Sequence, residues 1–487
     1  MKRPGGIEQP VHGLPQRRHR RPPVGDLPFG VGHCTRQHVQ LVVQRVEFGT
    51  GHDQFVLTDL KFSGSLTSDP IPLTARLTAE LLRPTGSGPL GHDAAAVTAS
   101  RSVDRPPPSP YGRFRHDEIM LGQVTRRADA RNEQTVDMST PPAPERRFAS
   151  DNNASVHPKV LEALIEANSG HAVAYGDDPW TQAAARRFDD LFGRHVESLM
   201  VWGGTGANVL ALASLLSPAG AVVCTDASHI NLDETGAPEF VLGAKLLDVP
   251  HTAGKISPEQ VSEFAHFTGV VHHVQPSVLS ITQSTEWGTL YTPDEIAVLA
   301  DTAHRMGMKV HLDGARIANA CAALGGTVDA LRSFTIDAGV DVVSFGGAKN
   351  GAMYGEAVVF LDPSLAAAAP YVRKQITQLP SKMRYVSAQF LALFTDDLWI
   401  DNARRANESC RVLHDSLDGI PGVDRGPAPA VNSIFPTLDP TLREAVRAWS
   451  FFYDWELPQV RWMTAWDTEA ADIEQFVSGL HHFASRL

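Results

Sequence analysis

The stretch "VVSFGGAKNG", residues 342–351, runs β-branched and aromatic residues into glycines and sets one lysine, Lys349, among Gly346, Gly347 and Gly351. A lysine walled by small residues at a strand end occupies a partly dry pocket, where its amine loses a proton and becomes a nucleophile toward a carbonyl carbon. The small neighbours leave room for a planar ring. A few tens of residues earlier, "KVHLDGARIANA" ends an apolar strand on Asp313 and Gly314, with Arg316 just beyond. The carboxylate is delivered to the bottom of a crevice, and the guanidinium has the fork that grips a substrate carboxylate through two parallel hydrogen bonds. The alternative is an Asp313 that caps the next helix, with Arg316 paired to it.

Two further stretches carry chemistry. In "WGGTGANVLALASLL", Gly203, Gly204 and Gly206 let backbone amides approach a ligand, Thr205 adds a hydroxyl, and the following helix points its positive end at the same spot. This is a phosphate cradle in outline, although such turns also arise for steric reasons, and the pattern is neither a Walker loop nor a dinucleotide fingerprint. "CTDASHINLDETGA" places His229 after a strand of buried type. Its ring can stack on a heteroaromatic cofactor or move a proton near neutral pH, whereas most histidines do neither. Cradle, stacking imidazole, carboxylate for a pyridinium proton and nucleophilic lysine, in this order on one chain, are the parts that pyridoxal 5'-phosphate requires.

The elements that must position these residues alternate. Apolar runs ending in Gly, Asp or Ser ("SLMVWGG", "AVVCTDAS", "GVVHHVQPSVLSI", "MKVHLDGA", "VDVVSFGG", "EAVVFLD") are separated in many places by helix-like segments such as "PDEIAVLADTAHRMG". The rhythm predicts an α/β fold, a mainly parallel sheet covered by helices on both faces, with ligands bound beyond the carboxyl ends of the strands. Beyond about residue 395 the pattern predicts a smaller α+β C-terminal domain. The tryptophans Trp449, Trp455, Trp462 and Trp466 there fit core packing better than an aromatic-substrate pocket.

Composition narrows the class. A net charge of -12 disfavours nucleic acid and anionic membranes as partners, since both need a basic face. Cys34, Cys224, Cys321 and Cys410 are far apart and form no CxxC pair, so neither a metal site nor a disulfide framework is indicated and a reducing cytoplasm is the default. No apolar run approaches the length of a membrane helix. Residues 1–137 differ from the rest, with 18 Lys plus Arg against 14 Asp plus Glu and prolines throughout. They read as a poorly ordered, dispensable extension, with a nucleic-acid arm or targeting signal as the alternative for "RRHRRPP", and Met138 fits a translation start. The expected organisation is thus an extension over 1–137, a large cofactor-binding domain over 138–390 and a small domain over 391–487.

From about residue 148 to about 475 the chain resembles the threonine aldolase / β-eliminating lyase family, within the fold type I (aspartate aminotransferase-like) superfamily of pyridoxal phosphate enzymes. The likeness is carried by "FASDNNASVHPKVLEAL", "AYGDDPWT", "GGTGANVLAL", "SHINLDETGA", "HLDGARIANA", "SFGGAKNGAMYGEAVVF" and "SKMRYVSAQFLAL". The resemblance implies that Lys349 carries the cofactor covalently, Asp313 pairs with its ring nitrogen, His229 stacks on the ring, and Gly204, Thr205 and Gly206 hold the phosphate. It implies that Arg316, Ser150 and Arg461 contact the substrate carboxylate, that Tyr175 is the family's active-site tyrosine, and that Arg384 reaches a neighbouring subunit's phosphate in a homodimer or homotetramer with shared sites. The implied reaction is retro-aldol cleavage of a β-hydroxy-α-amino acid, of the low-specificity L-threonine kind, to glycine and an aldehyde. A phenylserine aldolase or β-eliminating lyase is the alternative, and a non-catalytic binding or regulatory homologue is the alternative of another class. Two departures stand out. "TQSTEWGTLYT" places Glu286 or Trp287 where many relatives carry a histidine near the substrate hydroxyl, which leaves Glu286, His229 or a water as the base. Position 348 is Ala where relatives often have Ser or Thr.

Overall fold

The computed structural model describes residues 140–487 and, before them, five short strands: β1 (Val39–Val43), β2 (Val46–Phe48), β3 (Phe55–Leu57), β4 (Leu60–Lys61) and β5 (Ala96–Ala99). The chain divides into two units, Met1–Arg131 and Asn132–Leu487. In the first, β1 pairs antiparallel with β4 and β5, and β2 with β3. The expectation of a poorly ordered extension with an Arg-rich arm otherwise lies outside the described residues.

The second unit is built on a seven-stranded sheet. Its strands are β6 (Glu197–Val201), β7 (Gly220–Thr225), β8 (Lys245–Val249), β9 (Gln275–Thr282), β10 (Lys309–Gly314), β11 (Val342–Gly346) and β12 (Glu356–Phe360), in the order β6-β12-β11-β10-β9-β7-β8. All pairings are parallel except those of β12, which runs against both β11 and β6. The strands are continuous apolar runs because both faces are covered: every residue of β7, β11 and β12 is buried. Helix chemistry follows the same logic. Pro293–Arg305 starts with a Thr292/Glu295 capping box and Pro at its first turn and ends on His304 and Arg305, signs that suit the helix dipole. Gly204–Leu215 is apolar around its circumference and is buried over the six residues Ala207 to Leu212, as such a helix must be. Within that run Asn208 is the polar exception.

A second core gathers Cys410, Leu413, Ile434, Leu442, Trp462, Phe476 and Leu480 with Phe148 from the opposite end of the unit. It packs beneath β14 (Ser433–Ile434), β16 (Tyr453–Asp454) and β17 (Val460–Met463), a short antiparallel sheet in the order β14-β17-β16, preceded by β13 (Val423–Asp424), which pairs with β15 (Thr437–Leu438). Helix Leu398–Asp415 is shared: Trp399, Ile400 and Ala403 belong to the large core, Cys410 and Leu413 to the small one.

The end of β11 is packed without slack. A Cβ on Gly346 would stand 2.3 Å from the carbonyl oxygen of Ala315 and 2.7 Å from its carbon, both backbone atoms that cannot swing aside. Gly346→Ala is therefore expected to destabilise the fold by about 1–3 kcal/mol, the usual cost of overpacking. A urea or thermal midpoint equal to that of the parent would show that the strand end yields.

Candidate active site

Five parallel strands deliver residues to one edge of the sheet. β6 leads into Gly203 and Gly204, β7 into His229, β9 into Glu286, β10 ends on Asp313 and Gly314, and β11 leads into Lys349 in the tight turn Ala348–Asn350. Lys349 makes no hydrogen bond or ion pair with the described residues. Burial and the Arg316 guanidinium push its amine below the usual lysine range, against the pull of Asp151, Asp313 and Glu356. That is the state a nucleophilic amine needs.

Asp313 is 4% exposed. Its Oδ2 accepts from Asn208 Nδ2 at 2.8 Å and its Oδ1 from the Ala315 N–H at 3.0 Å. Burial works to raise its pKa, but His229, His311 and these two hydrogen bonds outweigh it and hold the carboxyl below the ordinary range. His311 lies across the sheet between Ser280 Oγ and Ser344 Oγ, at 2.9 Å each, and burial drives it down to about 4.

The arginines divide their work. Arg316 forms a bidentate pair with Asp151, Nε to Oδ2 at 2.6 Å and Nη2 to Oδ1 at 2.9 Å, and Asn432 Nδ2 donates to the same Oδ2 at 3.1 Å. The Nε–Nη2 edge of the fork expected to hold a ligand is thus occupied by a buried aspartate, not by Asp313 as in the capping alternative. Its Nη1 has no hydrogen-bond partner among the described residues. Arg461 has no ion pair there: its guanidinium lies over the rings of Tyr453 at 5.6 Å and Trp455 at 5.2 Å, and burial together with Arg316 lowers it to about 10. An unpaired, partly dehydrated guanidinium beside a paired one is a receptor for a carboxylate. Ser150 Oγ caps the turn Asp151–Asn153 by accepting from the Asn152 N–H at 3.2 Å, which places the serine next to the Asp151–Arg316 pair.

Over the same cleft, His229 Nδ1 is 2.9 Å from Glu234 Oε1, while its side chain keeps 40% exposure, so the ring remains available to a stacking partner. Glu286 Oε1 accepts from the His229 N–H at 2.9 Å and from Thr282 Oγ1 at 2.8 Å. Its Oε2 is buried and has no partner among the described residues. Burial pushes this carboxyl up to about 7 against the stabilising bonds. Glu286 is therefore no surface residue, and Trp287 beside it turns toward Phe435 and Trp455, at ring distances of 5.7 and 5.9 Å.

The glycines serve two purposes. A Cβ on Gly203 or Gly204 would meet nothing within 4 Å, so the start of helix Gly204–Leu215 faces open space, as a phosphate cradle requires. Gly206 is instead covered by the Gln378 amide, whose Oε1 accepts from the Trp202 N–H at 3.0 Å. Gly346 and Gly347, beside Lys349, lie against backbone carbonyls of Ala315 and Gly355, so their smallness closes the chain around the lysine rather than opening room for a ring. Glu356, at the start of β12, accepts from the Gly347 N–H at 2.6 Å and is raised by burial to about 7.

Two expected residues stand apart from this cluster. Tyr175, 49% exposed, and Arg384 occupy adjoining segments: the Tyr175 N–H donates to the Ser381 carbonyl at 2.9 Å, and Arg384 donates to the Gly170 carbonyl at 3.2 Å. They border a hollow of about 340 Å³ lined by Gly170–Ala174 and Ser381–Arg384. Among the tryptophans, Trp462 is in the small core, Trp449 packs on Phe476, Trp466 donates to the Ser155 carbonyl at 2.9 Å, and Trp455 alone joins the site through Arg461. Asp151, Asn208, Glu234 and Glu356 were not expected. Asn208 had a visible signal as the lone polar residue in the apolar run 207–212.

The fit to pyridoxal phosphate rests on these features: an unpartnered lysine amine, an ionised buried carboxylate, an exposed imidazole face and an open glycine turn at a helix start. Comparison with known proteins agrees. The family described as Beta-eliminating lyase matches residues 147–439. A low specificity L-threonine aldolase of Pseudomonas sp. (strain NCIMB 10558) is 40% identical over 337 residues, 69% of this chain and 96% of that protein. One from Pseudomonas aeruginosa is 39% identical over 332 residues, 68% and 95% of the two chains. The structure of Leishmania major threonine aldolase superposes with a TM-score of 0.64 at 28% identity, covering 69% of this chain and 99% of that one. Aspartate aminotransferase from Thermus thermophilus, at 16% identity, a TM-score of 0.53 and coverage of 76% and 95%, shares the fold. The chain belongs to the beta-eliminating lyase family and has the fold of the type I pyridoxal phosphate enzymes.

Proposed function

We propose that the protein is a pyridoxal phosphate-dependent aldolase that cleaves L-threonine, L-allo-threonine or related β-hydroxy-α-amino acids to glycine and an aldehyde. The observation that carries this reading is the unpartnered Lys349 amine in one cleft with ionised Asp313 and unpaired Arg461. Bound pyridoxal phosphate supplies an electron sink for the pair left by a bond broken at the substrate Cα. Lys349 would hold the cofactor, Asp313 would keep a proton on its ring nitrogen, His229 would cover its face, and Gly204 and Thr205 would receive the phosphate, with Gly206 beside them under the Gln378 amide. Arg461, the free edge of Arg316 and Ser150 hold the substrate carboxylate, which orients the Cα–Cβ bond for cleavage. Glu286 Oε2, buried and unpartnered, accepts the β-hydroxyl proton. Tyr175 serves as an active-site tyrosine, and Arg384 reaches the phosphate of a neighbouring subunit in a cytoplasmic homodimer or homotetramer. Among the described residues the Arg384 guanidinium donates to carbonyls and a phenol and pairs with no carboxylate, which leaves its charge for a phosphate. No helix among the described residues is long and apolar enough to cross a membrane.

Trp287, Phe435 and Trp455 form an aromatic wall that adjoins both Glu286 and Arg461, and this favours β-aryl substrates as a second reading. Incubation with threonine, allo-threonine and phenylserine, with glycine and ammonia assayed separately, decides. Glycine without ammonia supports an aldolase, the rates rank the side chains, and ammonia as main product rejects the proposal.

Glu286 must be ionised to accept a proton, so activity rises with pH through a limb near 7, the value to which burial raises it. Glu286→Gln is expected to lower kcat by about 10²-fold, the lower range for a general base, and to remove that limb. Glu356→Gln, which alters the other carboxyl raised to about 7, is expected to retain it. A Glu286→Gln profile that keeps the limb would assign the base elsewhere.

A further inference from the structure

Glu234 lies five residues beyond His229, and its side chain has no exposed surface. Its Oε1 takes two hydrogen bonds, from His229 Nδ1 at 2.9 Å and from Asn208 Nδ2 at 2.8 Å. The same Asn208 nitrogen donates to Asp313 Oδ2 at 2.8 Å. A primary amide nitrogen carries two hydrogens, so both are committed, and the side chains form one continuous chain from His229 through Glu234 and Asn208 to Asp313. The four side chains come from three strand ends: Asn208 from the helix after β6, His229 and Glu234 from the segment after β7, Asp313 from β10.

Folding gains little from this arrangement. Glu234 Oε2 and Asn208 Oδ1 are buried with no partner among the described residues, and a sealed carboxyl with one oxygen unsatisfied costs stability that an apolar side chain would not. The arrangement makes sense as control of a proton. The charged and titratable groups that face His229 are Glu234, Asp313 and Lys349, with Glu286 on its backbone N–H. The bond to Glu234, followed by the charges of Asp313 and Glu234, raises the imidazole above its ordinary value despite burial and Lys349.

We infer that Glu234 is a positioning residue: it fixes the His229 proton on Nδ1, leaves Nε2 as the nitrogen with a free lone pair, and through Asn208 couples the imidazole to Asp313. The imidazole over the cofactor ring and the carboxylate at its nitrogen are then set as a unit. The consequence for catalysis rests on the cofactor reading above, whereas the tautomer is a property of the chain itself. Because the tautomer of a neutral imidazole follows the hydrogen bond made by its other nitrogen, it is directly measurable.

The test uses the full-length protein with ring-15N-labelled histidine, before and after loading with pyridoxal phosphate, and long-range 15N–1H spectra across pH. His229 is assigned by the signal lost in His229→Asn. The parent is expected to show the Nδ1–H tautomer and a midpoint above that of a free histidine. Glu234→Gln keeps an oxygen acceptor without its charge, so the tautomer should persist while the midpoint falls toward that of a free histidine. Glu234→Ala should lose the tautomer preference and lower kcat by more than about tenfold, with part restored in Glu234→Gln. A midpoint and tautomer unchanged in Glu234→Gln and Glu234→Ala overturn the inference. If the alanine variant does not fold, an unmoved midpoint in Glu234→Gln is sufficient to do so. Failure of borohydride to fix the cofactor at Lys349, with the His229 shifts present, would sink the cofactor reading and leave the Glu234–His229 coupling standing.

Discussion

Lys349→Ala is expected to lose aldolase activity by at least about 10³-fold, the scale seen when a residue that acts covalently is removed. It should also lose the visible absorbance of the cofactor-loaded protein. The reason lies in what surrounds the amine. Burial and Arg316 depress it, and it has no hydrogen-bonding partner among the described residues, so it gives up its proton to become a nucleophile more readily than an exposed lysine. Among the described residues, Lys374 and Lys309 are engaged elsewhere: Lys374 lies over the Tyr175 ring at 4.7 Å, and Lys309 pairs with Asp341 at 3.1 Å. The fold should survive, because removing an unpaired buried cation relieves a desolvation cost. Borohydride treatment of the loaded parent should label the peptide containing residue 349 and leave the variant unlabelled. A coloured variant, or label at another lysine, would move the nucleophile.

Much of this site was legible because it is built from local signals. Lys349, Asp313 and His229 each follow an apolar run directly, and a parallel sheet places such residues on one edge whatever the order of its strands. Asp151 was invisible for the opposite reason: it becomes part of the site only by pairing with Arg316, 165 positions away. Glu234 and Asn208 likewise acquire meaning only when three strand ends meet. Glu356 opens a strand, where a polar residue ordinarily reads as solvent-facing, and its burial depends on β12 running back beside β11. That reversal did have a signal, since the link between Gly346 and Glu356 is shorter than the dozen or so residues a parallel crossover needs. The boundary near residue 390 could not be read closely because helix Leu398–Asp415 contributes to both cores. Tyr175 and Arg384 were reached only through family resemblance, and within one chain they stay apart from the Lys349 cluster.

Asp313→Asn separates what the site requires from what the fold requires. The substitution keeps size and shape, but an amide has one oxygen and accepts from Asn208 or from the Ala315 N–H, not from both, so one donor is left facing an NH2. It also removes a negative charge, buried at 4% exposure, that its surroundings hold ionised. Thermal stability should therefore fall by about 1–3 kcal/mol, the cost of one buried group left unsatisfied, without loss of the fold. The larger loss falls on chemistry. Asp313 lies among His229, His311 and the Asn208 amide, which together hold it ionised against burial, and an amide cannot keep a proton on a pyridine nitrogen. Activity is expected to fall by about 10³-fold, comparable to losing a central electrostatic stabiliser. The His229 midpoint should fall as well, because the Asp313 charge helps to raise it. A folded variant with lost activity and a lowered His229 midpoint would identify the charge, not the shape, as what β10 delivers. Failure to fold would make Asp313 a structural cap, as the helix following it at Ile317–Ala323 allows.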